Sequence, residues 1–165
     1  MNTLWTPWRM EHVEGSANKE DSCIFEPPGD AAHDKAHLLL YRDQLLVVLL
    51  NRFPYANGHL LLAPRRHVAD ITELNAAEHS GLMALLGHSC TLLRKHFKAE
   101  GINIGLNLGE CAGAGIPGHL HFHVVPRWPG DHNFMTVLAD LRTIPQHIER
   151  SFDLLLPDFQ QFSSP

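Results

Sequence analysis

Cysteine is scarce in this chain: Cys23, Cys90 and Cys111 are the only three in 165 residues. Three is too few for a disulfide framework, and an odd number leaves at least one thiol over. A reducing cytoplasm is the location this predicts. Long apolar runs are also missing, since none approaches the ~18 residues a membrane span requires. The opening Met1 to Met10 holds Trp5, Pro7, Trp8 and Arg9 but lacks the apolar stretch of a secretory signal. Excess positive charge is absent too. Lys and Arg total 13 against 18 Asp and Glu, a net charge of -5. Nucleic-acid polymers and anionic membranes favour basic surfaces, so both are disfavoured as partners. A small anionic substrate stays open, because a site can be locally positive on an acidic protein. There is no internal repeat and no low-complexity tract.

What the chain does have is histidine, thirteen in all, spread along the sequence rather than clustered as in a purification tag. The length suits a single domain over 1–165 with a real hydrophobic core. The first thirty-odd residues are polar and turn-rich. They read as an irregular arm with a small knuckle around Cys23, over about 1–35. Leu38–Tyr41 and Leu45–Leu50 are short apolar runs joined by Arg42-Asp43-Gln44, which predicts a hairpin. His59–Ala63 predicts a third strand, stopped by Pro64. Asn75 with Glu78 three residues later is a capping box. Beyond it Leu82, Leu85, Leu86, Cys90, Leu93 and Phe97 recur at helical spacing. Gly101 is the expected stop. Ile102, Ile104, Leu106 and Leu108 then alternate with polar residues or glycine as in a half-buried strand. A loop with Gly109, Gly113, Gly115 and Gly118 leads to a last strand, His119–Val125, ended by Pro126. Ile144–Leu156 predicts a terminal helix. The sum is an α+β arrangement, an antiparallel sheet of about five strands with one long helix and a C-terminal helix.

The segment that carries chemistry is His119-Leu120-His121-Phe122-His123-Val124-Val125. On a strand alternate side chains share a face, so the three histidines line one side and Leu120, Phe122 and Val124 the other. A single histidine is ordinarily no more than a polar or packed residue; three at period two are not easily ascribed to that. Two chemistries use such a row. Three imidazoles can make an open zinc site. Alternatively, a neutral imidazole can attack phosphorus and form a covalent phosphoramidate. The unperturbed histidine pKa of ~6.5 leaves much of the ring neutral near pH 7. The adjoining glycine loop, whose backbone N–H groups could cradle an anion, favours phosphorus.

With these residues in view, the chain resembles the histidine-triad family. His119 to Val125 fits its signature, and Asn51-Arg52-Phe53-Pro54-Tyr55-Ala56-Asn57-Gly58-His59, followed by Pro64 and His67, is similar to its first-half motif. Leu4-Trp5-Thr6-Pro7-Trp8-Arg9 and Pro126-Arg127-Trp128-Pro129-Gly130-Asp131 resemble the diadenosine tetraphosphate phosphorylase-like branch. The resemblance implies the HIT-like fold and an enzyme acting on dinucleoside polyphosphates or related nucleotide conjugates. Its nucleophile would be His121, and His123 would donate to the α-phosphate oxygens. Asn51 would help hold the nucleotide. Asn107, one loop residue further from the triad than in the family, would contact phosphate. Gly113, Gly115 and Gly118 would supply backbone donors, and His59 would lie beneath the triad and set a histidine tautomer. Relatives that bind structural zinc, including the galactose-1-phosphate uridylyltransferase branch, use a Cys-x-x-Cys knuckle and two histidines. The matching set is Cys23, Glu26, His67 and His119, with Glu26 where the second cysteine would stand. Carboxylate oxygen is an acceptable zinc ligand. Cys90 belongs to the core, and Cys111 has no assigned role. The resemblance further implies a homodimer or larger homo-oligomer. A nucleoside phosphoramidase, or a nucleotide-binding module with incidental turnover, are the alternatives.

Overall fold

A computed structural model describes residues 23–27, 33–131 and 147–162. The opening Leu4–Arg9 motif and residues 144–146 of the expected terminal helix lie outside them. Five strands form one antiparallel sheet. They are β1 (Leu39–Arg42), β2 (Leu46–Leu50), β3 (Leu60–Pro64), β4 (Gly101–Leu106) and β5 (Phe122–Arg127), in the order β1-β2-β3-β5-β4. Between β3 and β4 runs the long helix α1 (Ala76–Phe97), and α2 (Ile148–Gln160) closes the described chain. No helix among the described residues is long and apolar enough to cross a membrane.

The alternation of side chains along β2 and β3 divides the interior in two. Leu46, Val48 and Leu50 of β2, with Leu60 and Leu62 of β3, face the helices and join Leu82, Leu85, Leu93, Phe152, Leu155 and Phe159 in the main core. Val47, Leu49, Leu61 and Ala63 face the other way and pack with Leu39 and Phe25. β5 obeys the same rule. Leu120 and Val124 enter the helix-side core, so the triad histidines are left on the opposite face.

Several expected boundaries move. The α1 stop falls at Lys98, which takes a left-handed conformation (φ 54°) and donates its N–H to Leu93 O. Gly101 instead opens β4. Pro126 does not end the last strand, which runs through it to Arg127. β3 pairs with β5 only from Phe122 to Val124, so beyond Val124 the strand has β4 alone as neighbour. A proline is tolerated there because its missing N–H would have faced no partner strand. β5 also begins later than expected, at Phe122, so that of the three histidines only His123 lies within it, and β3 begins at Leu60 rather than His59. β4 ends at Leu106, and Ile104 in its middle is 47% exposed. Alternation there predicts burial, and Ile102 and Leu106 do pack against the main core, but α1 packs chiefly over β3, β5 and β2, and Ile104 stays exposed.

The start of α1 is as the capping box requires. Asn75 Oδ1 accepts the Glu78 N–H, and Glu78 Oε2 accepts the Asn75 N–H, both at 2.9 Å. The structure adds Arg66, whose Nε and NH2 donate to the two Glu78 oxygens at 3.0 and 2.8 Å. Glu78 is only 2% exposed. The hydrogen bonds from Arg66 hold its carboxyl below the ordinary value, against the opposing effect of burial. Glu78→Ala removes the reciprocal cap and the two hydrogen bonds from Arg66, which keeps its bond to Glu73 O, and should destabilise the protein by about 2 kcal/mol at pH 7. A depressed native pKa contributes stability above the unfolded value of ~4.3 and loses it as pH falls through the lower native one. The cost of Glu78→Ala should therefore shrink toward pH 3 in urea titrations; a cost independent of pH would contradict the ion pair.

Candidate active site

The three histidines differ in what holds them. His119 is fully buried, and its Nε2 lies 2.7 Å from Pro64 O. A carbonyl only accepts, so Nε2 carries the proton and Nδ1 presents a lone pair. His121 is 5% exposed, and its Nδ1 lies 2.8 Å from His119 O. By the same argument Nδ1 is the donor, which places the free lone pair on Nε2. Burial pushes the His121 pKa down, against the opposing hydrogen bond to His119 O, so the ring is neutral near pH 7.

His123 is governed from below by His59. The Tyr55 N–H donates to His59 Nδ1 at 3.1 Å, so that nitrogen is an acceptor and Nε2 holds the proton. His59 Nε2 then donates to His123 Nδ1 at 3.0 Å. A neutral His123 must therefore carry its own proton on Nε2. Local contacts reinforce the chain: the Tyr55 ring lies 4.8 Å from His59 and 6.2 Å from His123, stacked on the latter at 25°. Burial, then the neighbouring His123 and His121, push the His59 pKa down from 6.5 to about 3. Linkage makes this a pH-sensitive element. The unfolded chain takes up a proton below pH ~6.5 that native His59 refuses, so stability is complete above that pH and falls below it. His59 should account for about 2 kcal/mol of the loss between pH 7 and pH 5. His59→Gln should lose that much less over the same interval, measured by urea unfolding at both pH values. An identical pH slope in the two proteins would show that His59 is not held neutral.

Asn51 lies beside this chain. Its Oδ1 accepts the Phe53 N–H at 2.9 Å, which turns Nδ2 to within 3.2 Å of His59 Nδ1. Asn107 donates from Nδ2 to Gly113 O at 3.2 Å, bracing the glycine loop across its base. Gly113 has φ +85°, a conformation glycine adopts without strain. Gly115 and Gly118 are exposed on the same loop. The loop is fastened to the triad where the His119 N–H donates to Ile116 O at 3.2 Å. Cys90 is half-buried against the main core, and Cys111 is exposed on the loop.

The four expected metal ligands converge. Donor atoms of Cys23, Glu26, His67 and His119 all lie within 4.8 Å of one another. Cys23 Sγ is 3.2 Å from His119 Nδ1, His67 Nδ1 is 2.6 Å from Glu26 Oε1, and His119 Nδ1 is 3.7 Å from the same oxygen. Zinc bonds of ~2.0–2.3 Å at tetrahedral angles separate ligand atoms by roughly 3.3–3.8 Å, so the set fits with small adjustments. The chemistry also fits. His119 turns its unprotonated Nδ1 to the cluster while Pro64 O anchors its other nitrogen, the usual outer support of a ligating imidazole. Gly118 has room for no more than glycine comfortably, since a Cβ there would meet His67 Nε2 at 3.2 Å.

Two contributors escape the sequence reading. Phe25 is fully buried against the triad, and Tyr55 lies tilted against His59 and stacked on His123. Phe25 sits between the two knuckle ligands and Tyr55 inside the Asn51–His59 motif, which are the signals that could have drawn attention to them.

The sheet, the long helix and the row of histidines on one face define the class of this protein. The chain belongs to the histidine-triad family: the HIT domain model matches residues 33–130. AP-4-A phosphorylase of Mycobacterium tuberculosis is 34% identical over 165 residues, spanning 96% of this chain and 85% of that protein. The asymmetrical bis(5'-nucleosyl)-tetraphosphatase of Schizosaccharomyces pombe is 32% identical over 93 residues, 56% of this chain and 50% of that protein. Among solved structures, a Zn-bound histidine triad family protein from Mycobacterium smegmatis superposes with a TM-score of 0.64 at 29% identity, covering 86% of this chain and 95% of that one.

Proposed function

We propose that this chain is an enzyme that cleaves dinucleoside polyphosphates or related nucleotide conjugates through a nucleotidyl-His121 intermediate. The observation that carries the reading is the tautomer of His121. Its Nδ1–H is committed to His119 O at 2.8 Å, so a neutral ring offers its lone pair on Nε2. Nε2 attacks the α-phosphorus, forming an N–P bond. The bond from phosphorus to the bridging oxygen breaks, and its electron pair leaves with the departing phosphate group. The imidazole becomes cationic, and its Nδ1–H···O bond to His119 strengthens as it does so. His123 donates from Nε2 to a non-bridging oxygen of the α-phosphate. Asn51 helps hold the nucleotide, while Asn107, Gly113, Gly115 and Gly118 shape the loop whose backbone receives phosphate. In the second step water or inorganic phosphate attacks phosphorus, the N–P bond breaks, and the acceptor's proton is released. The names of the relatives in Mycobacterium tuberculosis and Schizosaccharomyces pombe support both the substrate class and the two acceptors.

Zinc is the metal that suits Cys23, Glu26, His67 and His119. When bound it supplies a cross-link between the knuckle and the triad, with no open position for substrate. We further read the chain as a single domain over 1–165 that works in the cytoplasm as a homodimer or larger homo-oligomer. The free thiols of Cys23, Cys90 and Cys111 suit a reducing compartment. β4 is an edge strand with Ile104 47% exposed, which suits burial against a second copy.

The test is turnover of diadenosine tetraphosphate with and without inorganic phosphate. A phosphorylase yields ADP and ATP only when phosphate is present, whereas a hydrolase yields AMP and ATP in either case. Absence of cleavage in both arms, with a phosphoramidate turned over instead, would move the assignment to the phosphoramidases. Nucleotide binding without turnover of any of these would leave a binding module.

A further inference from the structure

We propose that Phe25 is a positioning residue for His121, holding the imidazole plane that the attack on phosphorus requires. The proposal rests on the reading of His121 as the nucleophile. Phe25 is fully buried, and its ring centroid lies 4.9 Å from that of His121 with the planes only 30° apart. The same ring lies 5.0 Å from His119 at 53°. Behind it stand Leu39, Val47, Leu49, Leu61 and Ala63, so the phenyl group is backed by the sheet.

The need for such a wall follows from the nucleophile's other attachments. Rotation about the bond joining an imidazole to its Cβ is broad and has no sharp staggered wells. His121 has one described hydrogen bond, from Nδ1 to His119 O, and that bond tolerates considerable tilt of the ring. His123 touches it edge-on, with centroids 5.0 Å apart at 64°. A flat apolar group lying along one face restricts the remaining swing, and it aims the Nε2 lone pair without competing for it. Such aim matters, because a misplacement of about 1 Å in a reacting group can cost on the order of 100-fold in rate.

Phe25 is itself held by its flanks. It lies in a turn closed by Glu26 N–H donating to Cys23 O at 2.9 Å, and the side chains of those two residues reach His119 and His67. Ile24 points outward, 47% exposed. The knuckle thereby inserts one ring between its two ligands and against the nucleophile.

The experiment compares Phe25→Leu, which keeps an apolar side chain but loses the flat face, with the wild type in the full chain. kcat for diadenosine tetraphosphate should fall about 10- to 100-fold while KM changes less than about threefold, the signature of lost alignment rather than lost binding. Zinc content should stay at the wild-type level. Carbethoxylation of His121 by diethyl pyrocarbonate, followed by peptide mass spectrometry, should become at least about threefold faster as the ring is freed. This labelling does not depend on nucleotide chemistry. If His121→Asn keeps its turnover, the nucleophile reading fails, yet faster labelling in Phe25→Leu still reports the restraint on the ring. Unchanged kcat and unchanged labelling overturn the proposal. So does a raised KM at constant kcat, which would make Phe25 a substrate contact. Should Phe25→Leu melt near the assay temperature, Phe25→Met is read by the same two measures, and wild-type values in that folded variant overturn the proposal equally.

Discussion

Replacing His121 by asparagine is expected to lower turnover of dinucleoside polyphosphates by on the order of 10⁴-fold or more, with nucleotide affinity changed only a few-fold. The magnitude follows from what is removed. Asparagine preserves bulk and polarity but has no nitrogen able to form the covalent intermediate, and loss of a nucleophile is among the largest single effects in enzyme kinetics. Affinity is expected to survive because Asn51, His123 and the glycine loop, the proposed nucleotide contacts, are untouched. The His119 carbonyl can still accept a hydrogen bond from the asparagine amide, so the backbone there has no reason to shift. The measurements are single-turnover rates and nucleotide titration on the same preparation. Turnover within tenfold of wild type in a clean His121→Asn protein would remove His121 from the chemistry.

Loss of the metal is the second large effect expected. Cys23 and Glu26 lie more than forty residues from His67 and nearly a hundred from His119 in the chain, with separations of 41 for Glu26–His67 and 96 for Cys23–His119. A metal joining them closes long loops, and its binding free energy becomes folding free energy. Besides the metal ligands, the described knuckle is fastened by Phe25, which packs against Leu39, Val47, Leu49, Leu61 and Ala63. Its described backbone bond is internal, from Glu26 N–H to Cys23 O. Protein purified without chelator should contain about one zinc per chain. Cys23→Ser and Glu26→Ala should lose most of it and melt roughly 6–12 °C lower, equivalent to about 3 kcal/mol for a domain of this size. The Glu26→Ala result is the more telling, because a carboxylate replaces the second cysteine of the related knuckles. Full zinc occupancy in Glu26→Ala would mean that another group completes the site. Equal melting temperatures for metal-free and metal-loaded wild type would mean that the cluster is held together by hydrogen bonds alone.

Much of the site is legible without coordinates, because it obeys local rules. Three histidines at period two had to share a face once the segment ran extended, whichever strand paired with it. Asn75 and Glu78 announced the start of α1 because both halves of a capping box lie within four residues. The convergence of Cys23, Glu26, His67 and His119 was available only through likeness to zinc-binding relatives, since ligands so far apart leave no local trace. The misplaced boundaries have physical causes. Gly101 is a better left-handed residue than Lys98, yet the chain turned at Lys98 so that Gly101 could enter the sheet. Pro126 could stay within β5 because β3 had already ended beside it.

The sequence by itself determined the class of fold, the helix-side core and the row of histidines on one face. These depend on periodicity and on residue type. Tertiary structure alone decided which nitrogen of each histidine carries its proton. That choice is made by acceptors and donors from elsewhere in the chain: Pro64 O for His119, the His119 carbonyl for His121, and the Tyr55 N–H acting through His59 for His123. Imidazole is nearly indifferent between its two neutral forms, so a single hydrogen bond of ordinary strength is enough to select one. Phe25 was likewise invisible as a partner of His121, because the contact between them joins residues almost a hundred positions apart and exists only once the knuckle has folded back against the sheet.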